Sequence, residues 1–502
     1  MLSLGFLVLP IAALARRVEY NWEISNIMTK MDGTHERLAV AVNNQIPMPM
    51  VTAELGDTLV LSLRNNLDEP TGLHSHGLLN NGTNYYDGAG MITECGIAPH
   101  MEMSYVIPLA QTGTYWLHGH HNSQYINGLR GPLIITDPNE PYEYDDDYVL
   151  TFEDWFPHAA TMKMGPQRSM KAEDKYPIGV INGMAGDMAP NLPFAANNTY
   201  RLRLLNIGST FMFRFIVDSH DMYIIEADGV ATEKHKVGSV LLGVAQRVSV
   251  LVVARENSVR NFQYQVEMFT DVFPELPGYN PRAYSGTLLY NEGAELAEYK
   301  ERAPSDFDDI DLVPLDHQPA LIPDTTHDVI ITANRTSTDM LQAFINNISF
   351  ELPQIPSIFT ALGYQGEDPL TDSSFGRQCN AKVLKHLSTV ELFVANHDRV
   401  FHPMHLHGHF FQIVERGPLG GKRVKRSHVP MRRDTVLVAP QSYVKLRFEA
   451  RNPGVWMMHC HIEKHMELGL SMLFVSAPEV MRQTLEMPES IKEHCRALGI
   501  SV

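Results

Sequence analysis

The sequence predicts an all-β chain divided into three segments, each folded as an antiparallel sandwich or barrel, and three observations carry that expectation. Apolar residues alternate, or run in short stretches, instead of recurring at helical spacing. Clusters of Gly, Pro and Asn break those stretches at short intervals. Two acidic, proline-containing stretches divide the 502 residues into parts large enough to bury separate cores.

Taken from the N-terminus, the one long apolar run is Leu2 to Ala15, short of the roughly 20 residues a membrane-crossing helix needs. Ala13-Leu14-Ala15 gives a small-x-small cleavage pattern before Arg16-Arg17, so residues 1–15 are expected to be a signal peptide and the mature chain to be secreted, outside the cell or in its wall. Sequons at Asn81, Asn197, Asn334 and Asn347 are compatible with a glycosylated secretory protein. No later segment is expected to span a membrane. The first segment, 16–140, carries the alternating stretch Thr58 to Leu63 and ends on the apolar stretch Pro132 to Thr136; Asp137 to Asp147 then reads as a linker. The second, 141–300, opens on Tyr148 to Phe152 and includes the apolar run Val237 to Val253. A break from Glu292 to Thr326 leads to the third, 301–502, with the alternating Tyr443 to Phe448, a basic run Lys422 to Arg426 that reads as a solvated loop, and a polar C-terminal stretch from Glu486.

Composition excludes several function classes. Lys and Arg number 40 against 58 Asp and Glu, and the net charge of −18 repels a phosphate backbone, so nucleic acid is not expected as a partner. Four cysteines, Cys95, Cys379, Cys460 and Cys495, are too few for a disulfide scaffold and lack CxxC spacing.

The 23 histidines carry the chemistry. His-x-His occurs at 74/76, 118/120, 405/407, 407/409 and 459/461, where chance placement gives roughly one such pair. On a strand, residues two apart share a face, so each pair can aim two imidazoles at one point. The pairs lie in the first and third segments only, which must therefore abut if one centre uses them. The pairs at 74/76, 118/120, 405/407 and 459/461 give eight imidazoles, too many for one ion and suited to three. Cys460 stands between His459 and His461, so strand alternation turns its sulfur away from both. A thiolate with two imidazoles is the donor set of a blue-copper electron-transfer site, and His402 and His465 are its candidate partners. A disulfide or an inert core thiol fits this cysteine poorly.

At these residues the sequence resembles the multicopper oxidases, the family of laccases and fungal ferroxidases, over essentially the whole mature chain. The segments that carry the likeness are His74-Ser75-His76-Gly77, Trp116-Leu117-His118-Gly119-His120, His402-Pro403-Met404-His405-Leu406-His407-Gly408 and His459-Cys460-His461-Ile462-Glu463-Lys464-His465. Ser75 replaces a usual aromatic and Asn127-Gly128 a usual Asp-Gly; neither change removes a ligand. The resemblance implies three cupredoxin-like Greek-key β-sandwich domains and four copper ions. The type 1 ion would take His402, Cys460 and His465, with Leu470 at the axial position; the type 2 ion would take His74 and His405; the type 3 pair would take His76, His118 and His461 on one ion and His120, His407 and His459 on the other. Asp87 and Glu463 match carboxylates suited to supplying protons as oxygen is reduced. Cys95 and Cys495 resemble the pair that ties the first domain to the C-terminal tail, leaving Cys379 unpaired.

Such a cluster defines the oxidant, dioxygen, and leaves the one-electron donor open among phenols, aromatic amines and ferrous ion. The sequence resembles the fungal ferroxidase branch through Asn346 to Ser349, Pro430 to Thr435 and Asn452 to Trp456. Those ferroxidases position iron with three carboxylates beside the type 1 histidines. Asp398 and Asp271 match two of them, and the third, a glutamate, aligns with Pro193, which cannot ligate. That loss, with the missing C-terminal membrane anchor of the permease-coupled ferroxidases, favours a monomeric oxidase of small phenols or naphthols in pigment or melanin formation, with ferroxidation the alternative; Asp187 reads first as a polar loop residue and second as an acceptor for the phenolic proton. A copper-storage or electron-carrier protein needs only the type 1 ligands, and the eight further imidazoles speak against it.

Overall fold

The structure is a computed structural model that describes residues 15–160, 177–185, 189–256, 258–269, 283–299, 307–335, 341–365 and 370–502. Among the described residues six sheets are stacked as three sandwiches. The first sandwich joins a sheet ordered Arg37–Val42, Arg17–Thr29, Thr58–Asn65, Glu102–Pro108 to one ordered Val51–Glu54, Arg130–Thr136, Gly113–Gly119, Leu73–His76. The second is built from Asp146–Trp155 through Ala283–Leu289, as sheets of seven and five strands. The third, again of seven and five, runs from Thr325–Arg335 to Ser471–Ser476.

Alternation on the strands follows from one-sided burial: Phe262–Phe269 buries every second residue, as a sheet with one wet face should. Among the described residues five strands are instead buried at every position, Leu73–His76, Gly113–Gly119, His402–Leu406, Gly454–Cys460 and Ser471–Ser476, since a strand covered on both faces has no wet side to alternate with. The first four carry histidines of the candidate cluster.

Strand pairing corrects the expectation of purely antiparallel sheets. Each of the six contains one parallel pair, such as Arg17–Thr29 with Thr58–Asn65, or Ala381–Leu384 with Ser471–Ser476. Hydrophobic period reports which face is buried and not the direction of the neighbouring strand, so the sequence pattern could not reveal this.

The first and third sandwiches abut. Trp116 and Tyr125 belong to the same apolar cluster as Cys460, Leu406 and Leu470. The polar C-terminal stretch forms the helix Glu489–Ala497, which buries Ile491 and Cys495 against the first sandwich. Cys95 and Cys495 are disulfide-bonded across a sequence separation of 400, while Cys379 is free and buried. Closing so long a loop constrains the unfolded chain strongly. Replacing both cysteines by Ser is expected to lower stability by about 3 to 5 kcal/mol, read as a shifted denaturant midpoint under oxidising conditions. Among the described residues no helix is long and apolar enough to cross a membrane.

Candidate metal centres

Two strand pairs bring the histidines together. Leu73–His76 pairs with Gly113–Gly119 so that His74 lies opposite His118, and His402–Leu406 pairs with Gly454–Cys460 so that His405 lies opposite His459. The imidazole nitrogens gather in three groups, each within 4.8 Å: His74, His76 and His405; His76, His118 and His461; His120, His407 and His459. Rings of His74 and His407 stack at 3.9 Å and those of His76 and His405 at 3.7 Å.

One nitrogen on most of these rings is committed to the protein. Nδ1 donates to a backbone carbonyl in His74 (Asp87, 2.7 Å), His118 (Gly119, 3.0 Å), His405 (Asp434, 2.9 Å) and His459 (Cys460, 3.0 Å). His407 Nδ1 meets Asp87 Oδ2 at 2.8 Å, and His76 Nε2 meets Asp434 Oδ1 at 3.1 Å. These bonds fix tautomer and ring orientation. The opposite nitrogens, Nε2 of His74, His118, His120 and His405 and Nδ1 of His76, have no hydrogen-bond partner among the described residues. Nε2 of His407 and His459 face each other at 3.1 Å.

Burial, reinforced by the neighbouring imidazoles, pushes His76, His118, His120, His405, His459 and His461 well below their ordinary range, so they are neutral at pH 7. Buried, uncharged acceptors turned on one another are unfavourable when dry, and a bound transition-metal ion relieves them. The donor set therefore fits metal.

Cys460 ends its strand with its sulfur on the other face. Its Sγ lies 3.4 Å from His402 Nδ1 and 3.6 Å from His465 Nδ1, and the three form a fourth, buried group. Burial pushes the thiol far up, so a thiolate here requires a bound cation. A thiolate with two imidazoles selects copper. Leu470, fully buried, accepts the Cys460 backbone N–H at 3.0 Å.

Asp87 is fully buried between His407 and His74. Burial alone would raise its carboxyl, but the two imidazoles hold it far below the usual range. Glu463, also buried, opens the short helix Glu463–Glu467, and its N–H donates to Ser209 of the second sandwich. Asp398 lies at the solvent side of the thiolate group: Oδ2 is 3.3 Å from His402 Nε2, and its side chain is 21% exposed against 2% for His402. Pro193 sits on a short edge strand, exposed, with its carbonyl accepting from Tyr148. Asp187 and Asp271 lie outside the described residues.

The fifth His-x-His pair separates. The strand ends at Leu406, and Gly408 at φ +63° turns the chain where a Cβ would meet the Trp456 ring at about 2.4 Å. His409 is carried away to pack on Phe448 and Trp456, with Nδ1 donating to the His407 carbonyl at 3.1 Å.

One participant was missed in the sequence. Asp434 contacts His76 through Oδ1 and His405 through its carbonyl, and Arg247 of the second sandwich grips both carboxylate oxygens at 2.8 and 2.6 Å. Arg247 also donates to the Thr114 carbonyl of the first sandwich. All three sandwiches thus meet at this carboxylate. In the sequence the stretch Pro430 to Thr435 shows only a family likeness, because an Arg–Asp pair 187 residues apart has no local signature.

An imidazole cluster beside a thiolate and two further imidazoles defines a copper protein with linked sites. Three segments, 23–140, 146–285 and 350–480, match the multicopper oxidase family, and the chain belongs to that family of copper-binding oxidoreductases. Iron multicopper oxidase fer1 of Mycosarcoma maydis is 35% identical, covering 100% of this chain and 87% of the relative. Iron transport multicopper oxidase fio1 of Schizosaccharomyces pombe is also 35% identical, over 96% and 79%. Among solved structures, Fet3p, a multicopper oxidase that functions in iron import, superposes with a TM-score of 0.89 at 29% identity, over 97% of this chain and 96% of that one. The laccase of Botrytis aclada gives 0.82 at 25%, over 97% and 92%.

Proposed function

We propose that this chain is a ferroxidase holding four coppers, one type 1, one type 2 and a type 3 pair, and that it couples oxidation of four ferrous ions to reduction of one dioxygen: four Fe(II), O2 and four protons give four Fe(III) and two waters. The observation that carries the reading is the Asp398 carboxylate at the exposed edge of His402, an oxygen donor suited to a hard divalent cation one imidazole away from the Cys460 sulfur. The names of the iron-oxidising and iron-transporting relatives favour the same donor. Copper, when bound, supplies one-electron acceptance beside Cys460 and dioxygen reduction among the eight imidazoles.

The chain's own residues do the rest. Asp398 holds the iron substrate against His402. Cys460 joins the thiolate site covalently to His459 and His461, so the electron path is a few bonds long. Asp87 and Glu463, both buried carboxylates, would accept and pass on the protons that dioxygen reduction consumes. Stacked rings and fixed tautomers keep the eight imidazoles in position without reorganisation. The expectation of a phenol or naphthol donor gives way: it rested on Pro193 and on the missing membrane anchor, and neither touches Asp398, which stays in contact with His402. The leader sequence, together with the Cys95–Cys495 bond, supports an oxidising setting outside the cytoplasm.

Oxygen uptake with Fe(II) and with a substituted phenol, in wild type and Asp398→Ala, tests the reading. The variant should lose about tenfold to a hundredfold in kcat/KM for Fe(II), mainly through KM, and keep its phenol rate within about twofold. Higher efficiency with the phenol in wild type, with iron oxidation indifferent to Asp398, would restore the aromatic donor.

A further inference from the structure

A second set of soft donors lies beside the cluster. A cavity of about 290 Å³ is lined by Met91, Met457, Met466, His121, Asn122 and Glu467 and extends to His120, one of the eight cluster histidines. Three methionines and a histidine on one wall bring soft donors to this space, and sulfur ligands of this kind select monovalent copper.

Two features show that the donors are held there at a cost. Met91 adopts φ +61°, the left-handed region that an unbranched bulky side chain rarely enters. Its N–H donates to the Glu94 carbonyl at 2.7 Å and its carbonyl accepts from Ser357 at 3.3 Å, so the strained conformation is held from both sides. His121 is wedged between two glycines, where a Cβ on Gly90 or Gly96 would come within 2.5 or 2.4 Å of its Cε1. Its Nε2 is buried with no hydrogen-bond partner among the described residues. The nearest carboxylate, Glu94, stands 3.7 Å away and takes the Tyr105 hydroxyl at 2.9 Å. The imidazole nitrogen thus makes no hydrogen bond, and its contact with Glu94 is longer than one, which leaves its lone pair available to an ion.

We propose that this cavity binds monovalent copper and is the post from which ions pass His120 into the cluster. The site is separate from the four-copper set and is available when those positions are filled. Binding is by the thioethers and His121, with no change of oxidation state.

Silver(I), soft, monovalent and redox-silent, is the probe. Copper-loaded enzyme titrated with Ag(I) should take up one ion per chain while retaining its copper, with affinity reduced at least about tenfold in Met91→Leu and in His121→Ala, since loss of even a supporting partner weakens metal sites by that factor. On wild type, methyl-labelled methionine spectra should shift at Met91, Met457 and Met466, a result that needs no variant to fold. Metal-free enzyme given Cu(I) should regain its cluster absorption about tenfold more slowly in Met91→Leu. No Ag(I) uptake by the loaded enzyme, uptake unchanged in both variants, or methyl shifts confined to other methionines would each overturn the proposal and leave the cavity as a passage for dioxygen or water.

Discussion

Cys460→Ser is expected to abolish the intense blue absorption and to lower donor turnover to background, roughly a thousandfold or more below wild type. The near-ultraviolet absorption and copper of the eight-histidine cluster should stay. The asymmetry follows from strand geometry: His459 and His461 face the cluster, whereas the Cys460 sulfur faces His402 and His465. Serine keeps the backbone hydrogen bond to Leu470 and nearly the same volume but offers no thiolate. Loss of cluster copper in this variant would mean that the two sites are not separately held.

Asp434→Ala should damage the protein in a different way. Arg247 is fully buried, and the substitution removes both oxygens that its guanidinium grips, leaving Asp228 at 3.5 Å as the nearest remaining carboxylate. Leaving one member of a buried ion pair typically costs about 3 to 5 kcal/mol. His76 also loses its carboxylate partner at Nε2 and keeps only the Thr435 hydroxyl at 3.3 Å, so copper affinity at the cluster should fall by about tenfold to a hundredfold. Asp434→Asn, which retains an acceptor for His76 but not the charge opposite Arg247, should recover most of the copper affinity and little of the stability. Copper content after dialysis and a denaturant midpoint on the same samples separate the two effects; equal rescue of both would contradict the assignment of distinct partners.

Much of the metal chemistry was legible in the sequence because the donors sit on strands. Period-two alternation turns His74 and His76, or His459 and His461, to one side and Cys460 to the other, and their ligand atoms group in that way. Where the chain leaves the strand the rule stops: the 407/409 pair has the same spacing, yet Gly408 turns His409 into an apolar cluster. Sheet direction was not legible, since each sheet hides one parallel pair behind the same burial pattern. Asp434 and Arg247 were not legible because their meaning arises only when three sandwiches converge. The donor is hard to read for a related reason: the contact on which the proposed ferroxidase reading rests, Asp398 against His402, depends on how the loop after Thr389–Asn396 returns to the next strand.

The most direct test of the account is the copper content of metal-replete protein combined with the fraction of that copper visible by electron paramagnetic resonance. Four coppers per chain are predicted, with half of them silent because two are coupled as a pair among His76, His118, His461, His120, His407 and His459. Fewer than four ions, or a spectrum in which every ion is visible, would contradict a mononuclear thiolate site joined to a three-ion cluster.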